Sequence, residues 1–146
     1  MGALTNYFEN KLLDLLLRAQ AYTPPATLYI GLDTVVGNEA GGGTEVSGGS
    51  YARVAVPASL VNWAGSQGAG TTAASSGTGG TTSNNASITF PVPTADWGSV
   101  VGFRLWDASS GGNALIYQAL TTPKTINNGD AAPVFNAGAL TIQIDN

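Results

Sequence analysis

Residues 99–107 read SVVGFRLWD and residues 113–121 read NALIYQALT, with Ser109-Ser-Gly-Gly112 between them. In the first run Val101, Phe103 and Leu105 alternate with Gly102, Arg104 and Trp106, the period-two pattern of a strand with one buried face. The second run is a strong strand signal, and the serines and glycines that separate the two are turn chemistry. A β-strand, a short turn and a second β-strand set the class of the whole chain.

Working outward, the same reading recurs. Strands are expected at 27–32 (TLYIGL), 51–56 (YARVAV), 59–64 (SLVNWA, weaker), 87–91 (SITFP), 131–136 and 139–145 (ALTIQID). In 27–32, Leu28, Ile30 and Leu32 share one face. In 139–145, Leu140, Ile142 and Ile144 oppose Thr141, Gln143 and Asp145. Turn signals stand at Asn127-Asn128-Gly129-Asp130 and Gly138, and no helical pattern intervenes between strands. Eight short strands of this kind predict a mainly β fold, an antiparallel, jelly-roll-like β-sandwich rather than a parallel α/β sheet.

The N-terminal segment differs. From Ala3 to about Ala21 there is neither Gly nor Pro, and Leu4, Phe8, Leu12, Leu15 and Ala19 recur at spacings of three and four. One α-helix is expected there, with Asn6 and Glu9 as a helix-start pair and Thr23-Pro24-Pro25 as its stop. Leu13, Leu16 and Leu17 widen the apolar stripe. A helix apolar on most of its circumference requires cover on more than one side, from its own core or from another subunit. Burial of four such side chains contributes about 6–12 kcal/mol gross. The candidate interface is therefore Leu4, Phe8, Leu12, Leu13, Leu16 and Leu17. The run 12–17 (LLDLLL) is too short to cross a bilayer and lacks the flanks of a signal peptide. Residues 1–146 are read as one domain, helix at about 3–21 and sandwich at about 26–146.

Two stretches read as loops. Residues 34–50 hold Gly41-Gly42-Gly43 and Gly48-Gly49. Residues 65–85, GSQGAGTTAASSGTGGTTSNN, form a longer one with no charged, aromatic or large aliphatic side chain. Such a stretch builds neither core nor catalytic site; it orders on a neighbour or moves freely.

Composition narrows the chemistry. The chain of 146 residues has no His and no Cys, five Lys and Arg, and nine Asp and Glu, with a net charge of −4. His- and Cys-dependent catalysis, disulfides and thiolate metal sites are therefore excluded. The cations Lys11, Arg18, Arg53, Arg104 and Lys124 are scattered, so no phosphate-binding patch forms and nucleic acid is not expected as a partner. Only 10% of residues are charged, against about 25% in ordinary domains. A surface of Gly, Ser, Thr, Asn and Ala suits a protein packed against neighbours. The acids are dispersed and read as turn and capping residues, with Asp107 and Asp130 beside turn signals. The three acids between Asp33 and Glu45 match no calcium-loop spacing. No catalytic residue, metal ligand or cofactor is assigned. Aromatics of this kind read first as core or interface anchors; Trp97 and Trp106 are kept beside that reading as candidate exposed aromatic contacts, which would suit a glycan.

A set of runs carries a resemblance: YTPPATLYIGL (22–32), GSYARVAV (49–56), ITFP (88–91), ADWGSV (95–100), LWDA (105–108), GNALIY (112–117) and AGALTI (137–142). In this order they resemble small phage virion proteins described as phage tail fibre proteins, over nearly the whole chain. The resemblance implies a structural virion component, assembled in the host bacterial cytoplasm, and no enzyme. One small domain without a shaft suggests capsid decoration or cement, a homo-oligomer, commonly a trimer, bound to the major capsid protein or other virion proteins. The alternative is a tail fibre or tail adaptor that binds a receptor or glycan.

Overall fold

In the computed structural model, which describes residues 3–144, the two runs that decide the class form the middle of the main sheet. They are β7 (Gly98–Trp106) and β8 (Ala114–Ile126), antiparallel neighbours. In chain order the other elements are β1 (Ala3–Leu4), α1 (Asn6–Leu17), β2 (Thr27–Val35), β3 (Thr44–Glu45), β4 (Val54–Pro57), β5 (Thr81–Ser83), β6 (Ile88–Thr89), β9 (Val134–Phe135) and β10 (Thr141–Gln143). Six strands make one sheet in the order β1-β8-β7-β2-β3, with β4 also on β2. The pairs β10-β5 and β6-β9 form two short ribbons. All pairings are antiparallel, so the chain is mainly β with one N-terminal helix.

Alternation decides which side chains meet. Ile30, Leu105 and Ile116 sit opposite one another across β2, β7 and β8, and Leu32 lies opposite Phe103. These residues share one core with Ile88, Phe90, Trp97, Phe135, Leu140 and Ile142, contributed by the ribbons and their flanking loops, which supply the sandwich's second layer. Phe135 packs edge-on against both Phe90 and Phe103, with ring centres 6.2 and 6.0 Å apart.

Several expectations are corrected. The helix is shorter than residues 3–21: Ala3–Leu4 pair instead with Tyr117 and Ile116 as β1. Thr5, not the Asn6–Glu9 pair, caps the helix, its hydroxyl accepting from the Phe8 N–H at 3.4 Å and donating to the Ala114 carbonyl at 2.6 Å. The far end closes at Ala19, whose φ of 53° ends the helical ladder before the prolines are reached. Residues 59–64 form a turn rather than a strand, with Trp63 N–H on the Ser59 carbonyl and a single bridge from Trp63 to Asn84. In β7 a register shift between Val100 and Gly102 turns Val100 into the core and leaves Val101 half-buried. Residues 51–53 are not strand: β4 pairs with β2 only as far as Val54 opposite Ile30, and β3 takes the β2 edge from Asp33 onward. The long stretch 65–85 ends in β5. Residue 145, at the end of the last expected strand, lies outside the described residues.

Candidate assembly surface

The helix meets the sheet through Phe8, Leu12 and Leu15, above Leu28, Leu105, Leu115 and Ile116. The contact is loose. No helix residue is fully buried, and a cleft of about 250 Å³ remains, completed by Tyr22, Pro24, Pro25 and Ala58. Its lining is almost wholly apolar.

The outer side of the helix is bare. Leu16 and Leu17 are 76% and 78% exposed, and Leu13 is more than half exposed. Leu13, Leu16 and Leu17 lie at spacings of three and four and therefore on one stripe. Leu15, at 41%, links this stripe to the cleft. Of the six expected interface residues, Leu13, Leu16 and Leu17 form the open face, while Phe8 and Leu12 line the cleft. Leu4 stands apart from the helix, half-buried in β1 beside Ile116. Leu15 and Tyr22 were outside the expected set. Leu15 belongs to the same stripe as Phe8 and Leu12, and Tyr22 reaches the helix because the chain turns back, placing its ring 5.9 Å from that of Phe8.

The two tryptophans differ in cover. Trp97 is 4% exposed, donates from its indole N–H to the Gly49 carbonyl at 2.9 Å, and meets Tyr51 edge-on. Trp106 lies under two guanidinium groups, with Arg53 at 3.6 Å and Arg104 at 4.5 Å from its ring centre. The Trp97 ring is closed to solvent, whereas Trp106 is half-buried and borders a cleft shared with Thr5, Tyr7, Glu39 and Asn113.

Those two arginines belong to a charge network on the sheet face opposite the core. Arg104 holds both oxygens of Asp33 at 2.7–3.0 Å, and the acid is 0% exposed. Arg53 holds both oxygens of Glu45 at 2.7–2.8 Å and donates to the Ala108 and Gly111 carbonyls at 2.8 Å each. The Tyr51 hydroxyl donates to Glu45 and accepts from the Leu32 N–H at 2.7 Å. For Glu45, burial alone would raise its pKa, but the hydrogen bonds from Arg53 and Tyr51 together hold it below the usual carboxylate range. Burial pushes Asp33 upward, and Arg104 offsets this only in part. Asp33 and Glu45 face each other across β2 and β3, yet each is locked by an arginine, so they form no accessible acid pair. Among the described residues no group of three His, Cys, Asp or Glu is placed to hold a metal ion. No described helix is long and apolar enough to cross a membrane.

The family described as podophage GP4 fiber I protein gp80 has a model that matches residues 3–143. The chain belongs to this fibre protein family. No curated protein matches it. Membership makes it a structural component of a phage virion, in a family of fibre rather than enzyme proteins. Within this family member, two of the five cations are spent inside the molecule, and an apolar helix face is left open.

Proposed function

We propose that the chain is a building block of a phage tail fibre, joined to neighbouring proteins by packed apolar surface and performing no chemistry. The observation that carries this reading is the bare leucine stripe of α1 on a domain whose charge is low and partly consumed by internal pairs. Contiguous exposed apolar surface on a folded domain marks a site of contact. The fibre family supports a tail placement better than the capsid decoration that composition and size suggested. Receptor or glycan recognition through Trp97 loses support, because that ring is buried.

Copy number in the purified virion, by quantitative mass spectrometry against the major capsid protein, tests the placement. A few symmetric sets per particle, retained with isolated tails, are the expected result. A copy number comparable with the capsid protein would return the chain to the shell.

A further inference from the structure

We infer that the cleft beside Trp106 binds a neutral sugar. It lies between the start of α1, the loop after β2 and the turn from β7 to β8. Its volume of about 350 Å³ falls within the roughly 300–1,000 Å³ of small-molecule sites. None of the leucines of the bare helix stripe lines it, and it stands whether or not the chain is a tail component. Trp106 forms one wall, held in place by the guanidinium groups over its ring.

Charge disfavours an ion of either sign. No lysine or arginine lines the cleft, and the exposed Glu39 does, so an anion meets repulsion. Aromatic faces that would hold a cation are already in use. Arg53 and Arg104 lie 3.6 and 4.5 Å from the Trp106 ring centre, and the Lys11 Nζ lies 5.6 Å from that of Tyr7. A further cation, though drawn to Glu39, would meet these three positive charges at the rings. An uncharged occupant meets neither penalty.

Hydrogen bonding then separates a sugar from an apolar molecule and from a peptide. Among the described residues the Asn6 amide, the Tyr7 hydroxyl and the Glu39 carboxylate have no protein partner, and all three residues line the cleft. Asn113 lines it too; its Nδ2 donates to Asp107 at 2.8 Å, and its Oδ1 is left to accept. An apolar molecule would strip water from these groups and leave them unpaired.

The main chain around them is already spent. The Asn6 N–H donates to the Glu39 carbonyl at 2.8 Å, Thr5 to Leu115 at 3.0 Å, Gly41 to Asn38 at 2.9 Å and Asp107 to Asn113 at 3.1 Å. An extended peptide draws its affinity from main-chain bonds, and it finds few here. A sugar ring is read by side chains instead. The Glu39 carboxylate accepts from neighbouring hydroxyls, Asn6 and Tyr7 donate, and the C–H faces rest against Ala40 and Trp106.

Saturation-transfer-difference NMR on the full chain, with glucose, galactose and mannose at millimolar concentration, tests the site. At least one of the three should bind. Asn6→Ala with Glu39→Ala should weaken that binding about tenfold. Thermal unfolding should not change, because both side chains are exposed. Tyr7→Phe, which removes one hydroxyl, should weaken binding in the same direction. The uronate of the sugar that binds, which differs by its carboxylate, should bind less well, and Glu39→Gln should narrow that gap. The end-blocked tetrapeptide Ser-Asn-Gly-Ser should give no signal. Silence from all three sugars, binding undiminished in the double variant, a uronate that binds as well as its neutral parent, or the peptide bound in their place each overturns the inference.

Discussion

Arg104 of β7 grips Asp33 of β2 through both carboxylate oxygens, and the pair is closed from solvent by the loop that follows β2. Gly102 stands directly opposite Asp33 and Gly31 opposite Arg104, so the two charged side chains lie diagonally over positions that carry none. Gly37 lies over Arg104: a Cβ there would come within 2.9 Å of both the Arg104 Cδ and the Tyr117 Cβ. The remaining Arg104 donor faces the Gly41 and Gly42 carbonyls at 3.4 Å. A buried pair with this many partners contributes little net stability relative to an apolar pair, but removing one member leaves an uncompensated charge.

Arg104→Ala should therefore destabilise the fold by about 3–5 kcal/mol, whereas the double change Arg104→Met with Asp33→Leu should recover most of that loss. Urea unfolding of the two variants beside wild type measures both. If the single variant is as stable as wild type, the pair is not buried as described.

Gly37→Ala should cost about 1–3 kcal/mol through crowding alone. A control at Gly77, whose added Cβ would meet nothing within 4 Å, separates packing from backbone strain, since Gly77 has a φ of 88° and Gly37 does not share it. Thermal unfolding of Gly37→Ala and Gly77→Ala beside wild type gives the cost of crowding at position 37 and of conformational strain at position 77.

The pH dependence isolates Glu45. Its pKa is lowered on folding, so the stability it contributes is present above its ordinary value of about 4.3 and is lost as pH falls through the lower folded value. Asp33 is shifted the other way, so the total profile mixes opposite slopes. The difference between wild type and Glu45→Gln reports Glu45 together with its coupling to Asp33, whose pKa the Glu45 charge raises. That difference should be largest near neutral pH and should shrink below about pH 4. A gap that stays constant with pH contradicts the depressed carboxyl.

Asn85 organises the low-complexity stretch that precedes it. Its side chain accepts from the Gly70 N–H at 2.8 Å and donates to the Thr71 and Leu60 carbonyls at 3.0 and 3.3 Å. Ser66 and Gln67 add bonds to Ala74, Ser75 and Ser76 across the same loop. Wild type should thus resist brief digestion with a nonspecific protease, and Asn85→Ala should be cut between residues 65 and 80, as mass spectrometry of the fragments would show. Rapid cleavage of the wild-type loop would contradict this internal bonding.

Much of this molecule was legible before its structure. Alternation in 99–107 and 113–121, the turn chemistry after Asp107 and around Asp130, and the Leu-rich run of the helix each follow from neighbours close in sequence. Asp107 and Asp130 do bond the turns they flank, accepting from the Asn113 and Asn127 N–H groups at 2.7 Å. The capping bond of Thr5 is local, to the Phe8 N–H three positions on, but its second bond, to the Ala114 carbonyl 109 positions away, comes only with the fold. β5 was hidden in a run of Thr, Ser and Gly because its strand character comes from pairing with β10. Trp97 stood as a candidate exposed contact beside the anchor reading, and nothing local decides between them, because the Gly49 carbonyl and the Tyr51 ring that enclose it lie far away in sequence.

The division has a physical basis. Periodicity, breakers and charge poverty are properties of adjacent residues, and they set the β class, the single helix and the absence of His and Cys chemistry without reference to distant parts of the chain. Cover is a property of contacts between segments far apart. Only folding decided that Arg53 and Arg104 are consumed by Glu45 and Asp33, that the register shift near Val100 exchanges one valine for another, and that Phe8 and Leu12 meet the sheet while Leu13, Leu16 and Leu17 do not. The leucines are chemically identical, and the twelve-residue helix has only one side that the sheet can cover.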